Sequence, residues 1–212
     1  MEIITRDFLT GFETREENDT GIITGRPVVF NSATDLGFCD EVIDSRALDK
    51  TDLTDVRLCL DHDTSYVYAR SRNNNESSTM QIYTDAEGLG FRANLAINDS
   101  PKAQDYYSAI KRRDIDKMSF MFTVDGVKWE GLDTDHPTRR ITSIGKIFEI
   151  SAVTFPAYDS TSIEARDADR LDSVKRELES ARAELRADIP LDSGNTNELE
   201  LLKEKIKILG GL

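Results

Sequence analysis

Lys117-Met118-Ser119-Phe120-Met121-Phe122 is an apolar β-strand pattern with a hydroxyl in its middle. Alternation puts Met118, Phe120, Phe122 and Val124 on one face and Ser119, Met121 and Thr123 on the other. A second apolar strand, Leu58-Cys59-Leu60-Asp61-His62-Asp63, closes on one of the two histidines in the chain. Continued alternation there groups His62 with Val56, Leu58 and Leu60. A hydroxyl or imidazole buried in such strands is costly unless it is satisfied. A serine and a histidine so placed are residue types suited to a nucleophile and its base. Each alone also has an ordinary reading, since serines are common in strands and a histidine between two aspartates is usually solvated.

Working outward, the chain to about residue 165 reads mainly as strands. Gly21 to Phe30 is a strand running into the turn signal Asn31-Ser32, and Val56 to Leu60 alternates. Gln81-Ile82-Tyr83-Thr84 and Leu89 to Leu95 flank Asp85-Ala86-Glu87-Gly88, a hairpin signal. Ser100-Pro101 supplies an N-cap and first-turn proline for a helix through about Arg112. The Ser119 strand follows, then one around Val127-Lys128-Trp129, then Arg140 to Thr154 broken by Gly145 and stopped by Pro156. Strands with one helix give an α+β class.

From Asp167 the texture changes. Leu171, Val174, Leu178, Ala181 and Leu185 recur at alternating intervals of three and four in a charge-rich helix. Ser193-Gly194-Asn195-Thr196-Asn197 is a joint, and a second stripe follows at Leu199, Leu202, Ile206 and Leu209. The expected organisation is a domain over 1–166 and a charged helical tail over 167–212. The tail packs on itself or the domain, or docks a partner.

A net charge of −13 disfavours nucleic acid and anionic membranes as partners, because both would repel this surface. Hydrophobic residues make up 38 %, enough for a real core in 212 residues. No run approaches the roughly 20 apolar residues of a membrane span, and the first residues lack a signal-peptide apolar stretch. Cys39 and Cys59 are too few for a disulfide framework or zinc site, which makes a reducing cytoplasm the default. Asp61-His62-Asp63 is a poor metal site, since adjacent strand residues point to opposite faces. No cofactor is expected.

In Lys146-Ile147-Phe148-Glu149-Ile150-Ser151-Ala152-Val153, Glu149 interrupts an apolar run on the face of Ile147, Ser151 and Val153. A carboxylate there needs a cationic or hydrogen-bonding partner, or it takes up a proton. An imidazolium would serve, and so would an arginine.

These segments together resemble the tailed-bacteriophage prohead serine protease family. The resemblance is carried by Val28-Val29-Phe30-Asn31, Leu60-Asp61-His62-Asp63, Gly88-Leu89-Gly90-Phe91-Arg92-Ala93, Lys117 to Phe122, and Glu149 through Tyr158. It covers roughly residues 20 to 166. It implies a serine endopeptidase with a fold similar to the herpesvirus assembly protease, a mostly antiparallel β-barrel wrapped by helices. The family's histidine falls on His62 and its serine on Ser119. The third member falls on Glu149 in preference to His136, which sits in the polar turn Asp133-Thr134-Asp135-His136-Pro137. The backbone after Thr154 and the Arg139-Arg140 pair are candidates for holding an oxyanion.

The resemblance further implies a substrate in the major capsid protein or its scaffold segment, self-cleavage, self-association or docking in the prohead, and a location inside the immature capsid in the host cytoplasm. Two departures bear on substrate preference. Met121 stands where the family often has glycine, and Tyr66-Val67-Tyr68-Ala69-Arg70 replaces a glycine-containing turn. The competing expectation is a non-catalytic acidic assembly chaperone or scaffold acting through its tail.

Overall fold

A computed structural model describes residues 3–8, 12–17, 20–154 and 165–187. Along the chain lie β1 (Ile3–Phe8), β2 (Glu13–Glu17), β3 (Thr20–Val29), β4 (Ala33–Asp35), β5 (Asp40–Ile43), β6 (Asp55–Leu60) and β7 (Ala69–Arg72). They are followed by β8 (Met80–Thr84), β9 (Gly88–Leu95), α1 (Pro101–Lys111), β10 (Lys117–Glu130), β11 (Thr138–Val153) and α2 (Ala165–Ala187). The joint at 193–197, the stripe from Leu199 to Leu209 and the stop at Pro156 lie outside the described residues.

The strands form two sheets. One is ordered β1-β10-β11-β5-β4, with β6 also on β11 and β7 beyond β6; the other is β2-β3-β9-β8. Mainly β structure with two helices among the described residues makes the chain α+β. The expected barrel is not found. Closure requires an unbroken ladder around the structure, and no ladder joins the two sheets among the described residues. The long strand β11 accounts for the open form. One edge of it pairs antiparallel with β10, while the other serves β5 at Thr138–Ile141 and β6 at Glu149–Ala152, both parallel. That shared edge splays the first sheet into two branches instead of rolling it shut.

The core lies between the sheets. Leu58, Met118, Phe120, Phe122 and Ile150 from the first meet Ile23, Val28, Leu89, Phe91 and Ala93 from the second, with Tyr106 and Ile110 of α1 in the same cluster. The helix forms where the sequence signals it: Ser100 caps it by accepting from Ala103 N–H at 3.3 Å, and Pro101 occupies the first turn. The signalled hairpin is β8–β9, its Asp85 clamped by Nη1 and Nη2 of Arg26, each at 2.7 Å.

Two strand boundaries differ from expectation. The Ser119 and Trp129 strands are one element, β10, carried through by register shifts against β11. Gly145 does not break β11. Its α-carbon lies against the Asp125 carboxylate, whose oxygens a Cβ would meet at 2.6 and 2.7 Å. The residue permits close approach of neighbouring strands and is no terminator.

Val174 of α2 joins Leu36 and Cys39 in a small cluster, with Leu171, Phe38 and Trp129 packed against it. Glu177 accepts from Trp129 Nε1 at 2.9 Å and from the Arg139 guanidinium at 2.8 Å, and Arg139 also pairs with buried Glu41 at 2.7 Å. Leu171 to Leu178 of the first stripe therefore lie against the β-domain, while Leu185 is exposed.

Candidate active site

The registers of β10, β11 and β6 fix which residues share a face. Ser119 lies opposite Ser151, and Ser151 opposite Cys59, so three buried residues form one row across three strands. The neighbouring row is Met121, Glu149 and Arg57. The intervening residues Met118, Phe120, Ile150, Ala152 and Leu58 belong to the core cluster on the other face. Ser119 thus stands on the side of its strand that alternation assigns it.

Glu149 does not share the face of Ile147 as its spacing suggests. One extra residue, Phe148, enters β11 between Glu149, opposite Met121, and Ile147, opposite Phe122. This bulge leaves Ile147 in the core with Phe122, while Glu149 keeps the face of Ser151, on the Ser119 side.

His62 is also re-aimed. Strict alternation after Leu60 would send it to the core face of β11, away from Glu149. Instead β6 ends at Leu60, and Asp61 and His62 both take left-handed backbone conformations, φ 48° and 60°. Such conformations are uncommon outside glycine, asparagine, aspartate and histidine, and cluster at functional sites. The turn is held on several sides. Asp61 N–H donates to Ala152 C=O, the Asp61 carboxylate accepts from Thr154 N–H at 2.7 Å and from its hydroxyl, and His62 N–H donates to Ser151 Oγ at 3.2 Å.

The result is a close pair, His62 Nδ1 to Glu149 Oε1 at 2.6 Å. An ionised carboxylate only accepts, so Nδ1 donates to it, and in the neutral ring Nε2 is then the accepting nitrogen. Glu149 is 1 % exposed and the His62 side chain 23 %, placing the ring between the interior and solvent. The second carboxylate oxygen accepts from the Ser151 hydroxyl.

Ser119 Oγ is different. It is buried and has no hydrogen-bond partner among the described residues. The other buried hydroxyls are satisfied: Ser71 by Asn74, Thr123 by Lys146 N–H, and Ser151 by Glu149. An unmade bond of this kind costs about 1–3 kcal/mol and calls for a functional account. The structure therefore joins His62 to Glu149 and places Ser119 on the same face, opposite Ser151, without a hydrogen bond from Ser119 to His62.

A family model described as the caudovirus prohead serine protease matches residues 10–177. The chain belongs to that family. No curated protein and no solved structure matches it. Membership implies a serine peptidase of phage maturation, and the match runs into α2.

In this peptidase the pair lies beside two buried groups on neighbouring elements, Cys59 and Tyr106. Burial, followed by the nearby Glu149 carboxylate, pushes the Cys59 thiol up to about 12, which keeps it protonated and inert. Burial likewise drives the Tyr106 hydroxyl well above its ordinary value, and it donates to Cys59 C=O at 3.2 Å.

His136 is elsewhere, in the turn closing the β10–β11 hairpin, exposed, with Nε2 3.2 Å from Asp40 and 3.6 Å from Asp35. These three residues are the grouping of metal-ligand type among the described residues, and Asp61-His62-Asp63 forms none. The Arg139-Arg140 suggestion for an oxyanion site fails on geometry. Arg139 is committed to Glu41 and Glu177 and Arg140 to Glu130, all near the hairpin turn end. The backbone from 155 lies outside the described residues. Sequence reasoning passed over Ser151, whose position two residues after Glu149 on an apolar strand was the available signal.

Proposed function

We propose that this chain is a serine endopeptidase that cuts capsid scaffold or pro-segments during prohead maturation, with Ser119 as nucleophile, His62 as base and Glu149 as the group that orients the base. One observation carries the reading. A buried carboxylate holds the histidine by Nδ1, which makes Nε2 the proton acceptor of the neutral ring, on the face of the sheet where the one unpartnered buried hydroxyl among the described residues lies.

In the reaction, Ser119 Oγ–H gives its proton to His62 Nε2 as Oγ bonds to the peptide carbonyl carbon. The C–N bond then breaks while His62 protonates the leaving amine, and water repeats the sequence to release the acyl group. Glu149 holds the ring and balances the imidazolium charge. In the resting conformation Ser119 is buried and not bonded to His62, so substrate entry must bring Oγ to Nε2. Catalytic hydrogen bonds commonly tighten only in the loaded complex. An acidic surface suits a partner that is protein and not nucleic acid or membrane. The site of action in this reading is the immature capsid in the host cytoplasm, with self-cleavage removing the tail.

The test is co-expression of Ser119→Ala with the capsid protein. Processing is expected to stop; processing at the normal rate would overturn the assignment. A serine-reactive fluorophosphonate should label the wild type and neither Ser119→Ala nor His62→Ala. A chaperone or scaffold without activity would not label at all. Intact mass of wild type against Ser119→Ala reads self-cleavage.

A further inference from the structure

The hydroxyl of Ser151 uses both of its hydrogen-bonding capacities on the same pair of residues. It donates to Glu149 Oε2 and accepts the backbone N–H of His62 at 3.2 Å. Its strand neighbour across β10–β11 is Ser119, and the residue is fully buried. Such cross-strand neighbours have Cβ atoms about 5 Å apart.

Each of these contacts removes a freedom the site would otherwise have. With Oε1 on the imidazole and Oε2 on Ser151, the carboxylate is held from both ends and cannot turn about its last torsion. The His62 backbone sits at φ 60°, a conformation that persists only when its surroundings over-determine it. The Ser151 bond is one of those constraints, and it acts on the residue whose ring must aim at Ser119. Alanine has the right size for the site and neither capacity. Cysteine is somewhat larger and keeps a weaker donor and acceptor.

We propose that Ser151 is a positioning residue for peptide cleavage, locking the Glu149 carboxylate and the left-handed turn at His62 into one rigid unit beside Ser119. This rests on the peptidase reading above. It goes further in assigning the aim of the base to a residue that never touches the reacting atoms.

The experiment uses the full chain and two readouts. The first is the rate of fluorophosphonate labelling, resolved into kinact and KI. The second is the proton NMR resonance of the His62 Nδ1–H, assignable because the chain has two histidines and His136→Ala removes the other. Ser151→Ala is expected to lower kinact by about 10²-fold, the scale of a small misplacement of a catalytic group, with KI unchanged. The same variant should shift and broaden the Nδ1–H resonance. Should Ser151→Ala not fold, Ser151→Cys is read the same way, with a smaller change in the same direction.

Either readout unchanged in a folded variant overturns the proposal: an unchanged kinact means the lock is not used, and an unchanged resonance means the loss is general. In both cases wild type still labels and Ser119→Ala does not, so the peptidase reading survives. Failure of wild type to label sinks that reading and this one with it.

Discussion

Glu149 has one oxygen on the imidazole and one on the Ser151 hydroxyl, and almost no exposure to water. A glutamine there keeps the shape and changes two things: the negative charge opposite the imidazolium is lost, and an amide NH₂ can face Nδ1. That amide would select the tautomer with its proton on Nε2, which cannot accept from serine. The expected loss for Glu149→Gln is about 10⁴ in kcat with folding retained, the scale of a comparable carboxamide exchange in a serine protease triad. The check is capsid-protein processing rate together with near-UV circular dichroism. Full activity would leave His62 and Ser119 as a dyad. At the same scale, Cys59 beside Ser151 is held inert by burial, which leaves Ser119 as the unsatisfied group of the row.

Local elements do the aiming. The bulge at Phe148 seats Ile147 in the core while Glu149 stays on the face of Ser151, and the two left-handed residues after β6 turn His62 to meet it. Without that turn, His62 and Glu149 would lie on opposite faces of β11. The helix α1 supports this region through Tyr106, which donates to the carbonyl of Cys59 on the strand leading to His62. Its first turn depends on Ser100, whose Oγ accepts from Ala103 N–H and meets Tyr66 Oη at 3.2 Å. Ser100→Ala should lower stability by about 1 kcal/mol, the usual cost of a lost N-cap. Urea unfolding measures that loss, and fluorophosphonate labelling of the folded protein should stay near wild type. A drop in labelling beyond tenfold would show that the cap serves the site and not only the helix.

Across the whole molecule, the two sheets are held face to face by the core, while their hairpins are pinned by exposed ion pairs. Arg26 reaches from β3 to the Asp85 turn of β8–β9, and its hydrogen bonds hold the Asp85 carboxyl down at about 2. The Asp52 carboxyl is also lowered, first by its bond to Lys146. A depressed folded-state value means that the unfolded chain takes up the proton first as pH falls. The Asp85 contribution is therefore complete above the ordinary carboxylate range near pH ~4 and is lost on the way to about 2. Asp85→Asn should be less stable than wild type at pH 7, with the gap closing as the pH drops below ~4. Urea midpoints across that window decide it; a gap of constant size would mean that the charge contributes nothing. At this scale too, Glu177 of α2 joins Arg139 and Trp129, tying the helix to the β-domain.

Alternation and turn chemistry were enough to read β6, the β8–β9 hairpin, the α1 cap and the face of Ser119, because each depends on neighbours a few residues away. The order of five short segments pointed to the family. Gly145 was misread as a break because its reason, an Asp125 carboxylate on the next strand, is invisible along the chain. The barrel failed for a similar reason: which edges pair depends on how far β11 runs and what it meets. Periodicity put Glu149 with Ser151, as found, but the faces of Ile147 and His62 were beyond it, since a bulge and a left-handed turn each reset the alternation and both are fixed by contacts across strands. The sequence by itself thus determined the chemical groups and their family. Only tertiary structure decided that His62 and Glu149 meet, each also bonded to Ser151, on the side of the sheet that holds Ser119.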